Sequence, residues 1–245
     1  WPAMLHGAGY GMPAAVHAHG FLTVDGQKMS KSRGTFIEAR RWLDHLPSEP
    51  LRYYFAAKLG AGIDDIDLNL DDFVARVNSD LVGKLVNIAA RTAGFIEKQF
   101  GGTLAGTLPQ PALFEDFVAA GDAIAAAYEA REYARAMREV MALADRANEY
   151  IAAAAPWSLV KDPGRLPDAH GVCTQALNLF RLLVVYLKPV LPRLAAEVDT
   201  LFGAPLDWAA RAQPLLDHPI APYRALLTRI DPKAIAALRA AGKTG

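Results

Sequence analysis

The segment VDGQKMSKSRG, residues 24–34, sets Lys28, Lys31 and Arg33 among Ser30, Ser32, Gly26 and Gly34, with Asp25 as its only carboxylate. Cations and hydroxyl donors on a glycine-flanked loop suit a polyanion, and lysine is a flexible point charge able to follow a phosphate that moves during a reaction. Charge placed where negative charge develops is the largest contribution to phosphoryl and nucleotidyl chemistry. A solvated basic surface loop has the same residue types, so spacing has to discriminate. Two common phosphate loops are excluded. The GKT at Gly242–Thr244 has Ala237 where a G-x-x-x-x-G-K-[ST] loop needs its first glycine, and Gly7-Ala8-Gly9 and Gly60-Ala61-Gly62 lack the third glycine of G-x-G-x-x-G.

A second set of candidates suits nucleic acid. Asn87 and Arg91 are four apart on a helical pattern and point the same way, placing an amide able to read a base edge beside a guanidinium able to stack or bind phosphate. Polar helix stripes are commonly just solvated. Trp157 follows Pro156 directly after an alanine-rich helix, so its indole sits at a helix end where an exposed ring would stack a base; a tryptophan buried between helices is the competing reading. His17 and His19, two apart on an expected strand, share a face, but no third metal ligand is near. Asp64, Asp65, Asp67, Asp71 and Asp72 read as a solvated connector with Asp71 as N-cap of the next helix, rather than as a metal site. Arg131, Arg135 and Arg138, interleaved with Glu129, Glu132 and Glu139, read as an ion-paired helix face.

These residues need elements to position them. At 245 residues and 52% hydrophobic, the chain can bury a substantial core. Lys plus Arg and Asp plus Glu both number 26, so any nucleic-acid contact must use local patches. The single Cys173 excludes an internal disulfide and reads as a buried thiol in a reducing compartment. With no run of 18 uninterrupted apolar residues and no signal-peptide layout, the expectation is a cytoplasmic protein away from membranes.

VHAHGFLTV reads as a strand ending at the turn dipeptide Asp25-Gly26. Helices are expected over 36–46 and 49–59, the second opened by Ser48, and a long one over 73–100. On that helix Val74, Val77, Leu81, Leu85, Ile88 and Phe95 form the core face, with Asp80, Lys84, Asn87 and Arg91 beside it, at about 100° per residue. A Gly/Thr/Pro linker at 101–111 precedes helices over 112–129, 131–154, 171–188 and 190–202, interrupted by Pro156, Pro163 and Pro189, giving a bundle of mostly antiparallel neighbours.

KMSKS at 28–32, preceded by HGFLTVDGQ and continued by RGT, resembles the second signature of class I aminoacyl-tRNA synthetases, in the form found in the methionyl-tRNA synthetase family. WPAML at the start, NIAARTAGFI at 87–96, APW at 155–157 and RID at 229–231 resemble that family in the same order. The resemblance implies a mostly α chain with the end of a Rossmann-type α/β catalytic domain at 1–22, the KMSKS loop and stem-contact connection at 23–70, and a helical anticodon-binding domain at 71–245. It implies ATP, carried with Mg2+ as substrate, bound by Lys28, Met29, Ser30, Lys31 and Ser32, with Lys31 and Lys28 as catalytic cations. It further implies Trp1, beside Pro2, at the methionine pocket, and Asn87, Arg91, Trp157, Pro156 and Asn148 at the anticodon. The implied partners are tRNA(Met), methionine and ATP, in a monomer or homodimer. A chain opening on Trp1 and lacking H-[IVL]-G-H is expected to be a fragment, with the first nucleotide signature and the zinc-binding insertion upstream, no metal in this chain, and no amino-acid activation by the chain alone. A non-catalytic tRNA-binding helical module is the alternative for the isolated chain.

Overall fold

The computed structural model describes residues 1–29 and 37–241. The chain opens with the short helix α1 (Pro2–Gly7), which buries none of its residues. Only Leu22–Val24 of the expected strand forms as β1; His17 and His19 lie before it, exposed and outside any strand, so they do not share a strand face. β1 turns through Asp25 and Gly26 into β2 (Gln27–Lys28). Both turn residues have positive φ, 47° and 73°, as a tight two-residue hairpin turn requires. β3 (Ile66–Leu68) lies on the other side of β1, parallel to it, with Thr23 opposite Asp67, giving the order β2-β1-β3. Gly20 is required where the chain approaches β3: a Cβ there would sit 2.2 Å from the Asp64 carbonyl oxygen.

Helices α2 (Ala39–His45) and α3 (Ser48–Ala56) fill the connection between β2 and β3. Ser48 is the first residue inside α3 and makes no cap hydrogen bond; Pro47 holds the N-cap position. Trp42, Tyr54 and Phe73 form an edge-to-face cluster, with ring centroids 5.0 Å apart for Trp42 and Phe73 and 5.6 Å for Tyr54 and Phe73. Helix α4 (Leu70–Val77) begins earlier than its sequence suggests, because Asn69 rather than Asp71 is its N-cap: the Asn69 Oδ1 accepts from the amides of Asp71, at 3.1 Å, and Asp72, at 2.8 Å. The expected long helix is not continuous. Residues Asn78–Leu85 form a π-helical segment, and α5 (Val86–Gln99) resumes after it.

The wider π turn advances each residue by less than the α-helical angle, so the faces before and after it are out of phase. Val77, Leu81, Leu85 and Ile88 are buried as expected, Val74 and Phe95 only partly, and Phe73, Val86, Ala89 and Ile96 join the core. The polar stripe also divides. Asp80 accepts from the Tyr53 hydroxyl at 2.8 Å and Lys84 pairs with Asp145 at 2.8 Å, while Asn87 and Arg91, on α5, stand outside these pairs.

Beyond the 101–111 linker come α6 (Pro111–Glu129), α7 (Tyr133–Ala154), the single turn α8 (Pro156–Leu159), α9 (Leu166–Leu187), α10 (Pro192–Phe202) and α11 (Pro232–Ala241). α9 starts before the expected position 171, with Pro167 in its first turn where its missing N–H is harmless. It is the bundle's axis, packed by α5, α6, α7, α8 and α10. Residues Pro163–Leu187 are apolar and long enough to cross a membrane, yet 94% of the most apolar window is buried by the neighbouring helices, as expected of a helix hydrophobic on all sides. α11, which periodicity did not single out, returns to pack on α2, and Arg239 meets Asp71 at 3.0 Å. The ion-paired face of α7 centres on Arg135, which binds Glu132 and Glu139.

The bundle is joined to the hairpin region through α3. Glu49, buried, accepts from the amides of Arg193 and Leu194 at the start of α10, and Arg52 donates to the carbonyls of Pro189 and Val190. The Glu49 carboxylate at the N-terminus of α10 matches that helix's dipole, while Arg52 satisfies carbonyls of the turn between α9 and α10.

Cys173 is fully buried on α9, and burial pushes its thiol from an ordinary 9.0 up to about 12. A raised acid pKa stabilises the folded state fully below the unfolded value, and that contribution is lost as pH rises from about 9 to about 12, at up to about 1.4 kcal/mol per pH unit. Native protein at pH 8 is therefore expected to leave Cys173 unreactive to a thiol reagent and to label at the rate of unfolding. Immediate labelling of the folded chain would contradict this packing.

Candidate functional site

Helix α7 ends at Ala155, whose φ of 45° and ψ of 59° place a non-glycine residue in the left-handed region. That reversal lets Pro156 start α8 with the ring buried, and it swings Trp157 back against α5. The Arg91 guanidinium carbon lies 4.6 Å from the centre of the Trp157 ring, within cation–π distance. Trp157 is half-buried: one part packs on the core and the rest faces a groove. Ala90, Arg91, Gly94, Phe95, Lys98 and Trp157 line this open groove of about 400 Å³. Gly94 has nothing within 4 Å of where a Cβ would stand, so the groove floor stays open between Arg91 and Lys98.

Asn87 lies one turn before Arg91 on α5, half-buried, and its amide makes no hydrogen bond with any described residue. Asn148 differs. Its Nδ2 donates to the carbonyls of Lys84, at 3.1 Å, and Ala144, at 2.8 Å, so the amide nitrogen ties α7 to the π segment. The Lys84 carbonyl, in the last turn of the π segment, accepts this bond from Asn148 across the helix interface. The structure thus brings together Arg91 and Trp157, with Asn87 adjoining and Asn148 supporting the helix below. Phe95, expected on the core face, lines the same groove instead of being fully buried, and so does Lys98, which was not singled out from the sequence although its offset of seven from Arg91 places it on the same face.

At the other candidate site, Lys28 is exposed at the end of β2, with its ammonium 5.9 Å from the centre of the Phe21 ring, and Met29 is half-buried against the core. Ser30, Lys31 and Ser32 lie outside the described residues. Trp1 is 88% exposed at the N-cap of α1. The acidic run is a solvated connector only in part: Asp64, Asp65 and Asp71 are exposed, but Asp65, Asp67 and Asp72 have defined partners. Asp65 accepts from the Phe21 amide at 2.7 Å, Asp67 accepts from Thr23 and Gly26, and Asp72 accepts from the Tyr54 hydroxyl at 2.9 Å and pairs with Lys58 at 2.8 Å. Hydrogen bonding from Lys58 holds the Asp72 carboxyl below the usual carboxylate range. Burial lowers the pKa of Lys58, but its bonds to Asp72 and Tyr54 outweigh that and raise it.

Residues 1–93 match the family model described as tRNA synthetases class I (M). Residues 102–226, just over half the chain, match the model described as the anticodon binding domain of methionyl tRNA ligase. Among solved structures, Mycobacterium tuberculosis methionyl-tRNA synthetase in complex with methionyl-adenylate superposes with a TM-score of 0.80 at 24% identity, covering 92% of this chain and 46% of that one. The apo form of the same organism's enzyme superposes at 0.78 with 21% identity, covering 95% of this chain and 47% of that one. This chain therefore spans a little under half the length of these neighbours. Their likeness is one of fold: the end of an α/β catalytic domain followed by a helical anticodon-binding domain. With both family models matched in order along its length, the chain belongs to the methionyl-tRNA synthetase family.

Proposed function

We propose that this chain carries the KMSKS nucleotide loop and the anticodon-reading helices of an enzyme that joins methionine to tRNA(Met), using ATP and passing through methionyl-adenylate. The observation that carries the reading is the seating of Arg91 on Trp157 beside an open groove, with the Asn87 amide one turn away. Single-stranded loops are read by stacking splayed bases on aromatic faces and by hydrogen bonds to their edges. Trp157 supplies the face and Asn87 the amide; Arg91 and Pro156 hold the indole in place. Asn148 acts from beneath by fixing the helix that presents Asn87.

In the adenylation half, the methionine carboxylate attacks the α-phosphate of Mg-ATP and pyrophosphate leaves. Lys31, seconded by Lys28, neutralises charge on the rearranging phosphates, while Ser30, Ser32 and Met29 hold the loop over the nucleotide. Trp1 borders the methionine side chain. The enzyme works in the cytoplasm as a monomer or homodimer.

The test is a titration of this chain, at one fixed salt concentration, with anticodon stem-loops carrying CAU or a changed first base. Tighter binding of CAU is expected. Equal binding of both by folded protein would remove the anticodon assignment. The lack of an H-[IVL]-G-H signature in the chain favours a second reading for the isolated polypeptide, a non-catalytic tRNA-binding module. It predicts the same CAU preference and no ATP–pyrophosphate exchange.

A further inference from the structure

The hairpin that leads into KMSKS is small: three residues of β1, a two-residue turn and two residues of β2, with β2 on the sheet edge. Pairing with β3 holds β1, but β2 and the turn lie at the sheet edge beyond that ladder, so something more must fix their direction. One carboxylate oxygen does. Asp67 Oδ1 accepts from the Thr23 hydroxyl at 2.7 Å and from the Gly26 amide at 2.8 Å, one donor on β1 and one in the turn. Thr23 is also the register partner of Lys28, the first residue of the signature.

The same residue is held from behind. The Asp67 carbonyl accepts from Lys58 Nζ at 3.1 Å and lies 3.3 Å from the Tyr54 hydroxyl, whose proton goes to Asp72, also the ion-pair partner of Lys58. Tyr54 is fully buried in the aromatic cluster with Phe73, so α3 is a rigid support. Asp67 is thus fixed by its main chain to the core and by its side chain to the hairpin. A loop misplaced by about 1 Å can lose a large part of the rate of a reaction that depends on charge position.

From this geometry we infer that Asp67 is the positioning residue of the nucleotide loop, acting through Thr23 and Gly26 without touching ATP. The inference rests on reading the hairpin as the base of that loop. The test is ATP–pyrophosphate exchange in a full-length synthetase bearing this chain. Asp67→Ala is expected to raise KM for ATP about tenfold, with KM for methionine and CAU stem-loop binding unchanged. Asp67→Asn keeps an Oδ1 acceptor for both donors and is expected to stay within about twofold of the parent, whereas Thr23→Val, which removes one donor, should fall between.

A merely structural role would move both Michaelis constants together and would show in the stem-loop titration. An unshifted KM for ATP in folded Asp67→Ala, or an Asn variant as impaired as the Ala variant, overturns the inference while leaving the nucleotide-loop reading intact. If Asp67→Ala does not fold, a Thr23→Val variant with the parent's KM for ATP overturns it equally. A parent enzyme with no exchange activity would overturn the nucleotide-loop reading itself, and this inference with it.

Discussion

Trp157→Ala is expected to weaken binding of a CAU anticodon stem-loop by about 10- to 100-fold, since stacking on an aromatic face contributes roughly 1–3 kcal/mol per base. The substitution removes the stacking surface and also the seat of Arg91, whose guanidinium rests 4.6 Å from the ring centre. Because the two side chains act as one unit, Arg91→Ala and the double variant should not be additive: most of the loss should appear in either single change. Trp157→Phe, which keeps a smaller aromatic face, should retain most of the binding. Trp157 also packs partly on the core, so circular dichroism must show each variant folded before its affinity is compared. The adenylation half should not notice the change. Normal charging of tRNA by the Trp157→Ala enzyme would mean that the groove on α5 is not where the anticodon is read.

The other large effect is expected from Lys31→Ala in a full-length synthetase, measured by ATP–pyrophosphate exchange. Removing one group that stabilises developing charge in a water-excluded site typically costs about 10²- to 10³-fold in kcat, and a loss in that range is expected here. The deficit should fall on kcat more than on KM for ATP, because the charge Lys31 offsets grows as the α-phosphate is attacked and pyrophosphate departs. Stem-loop binding should be unchanged, the reverse of the Trp157→Ala pattern. Lys31→Arg preserves the charge but replaces a mobile ammonium by a rigid planar fork, and should recover only part of the rate. Activation at the parent rate by Lys31→Ala would defeat the catalytic assignment. The two variants therefore separate the halves of the proposed reaction, and each is the other's control.

Much of this protein was legible in its residues. Asp25-Gly26 is a turn dipeptide because both positions need positive φ, a local demand that a two-residue signature conveys. The helices of the bundle follow from spacing of apolar residues, and their ends from Pro156, Pro163 and Pro189, which cannot continue an α-helical ladder. The buried Cys173, and the ion pairs of Arg135 among glutamates three and four residues away, are likewise local matters. KMSKS, NIAAR and APW carry the family resemblance because their chemistry resides in residue type and order.

What the tertiary structure decided were the partners. Asn69 and Asp71 are both good caps, and the choice between them depended on where β3 ends and on Asp72 being drawn to Tyr54 and Lys58. Asp64, Asp65 and Asp71 are solvated as their residue type suggests, but only the parallel pairing of β1 with β3 brings Asp65 and Asp67 to backbone donors more than forty residues earlier in the chain. The π segment was invisible to a reading at about 100° per residue because its turn is wider, and the bond from Asn148 on α7 to the Lys84 carbonyl within it is a contact between helices that no local pattern encodes. The meeting of Arg91 with Trp157 has the same origin: sequence placed a guanidinium on one helix and an indole at the end of another. The left-handed Ala155 and the packing of α8 on α9 then put one against the other, since a side chain's neighbours are set by how helices pack and not by the order in which they are read.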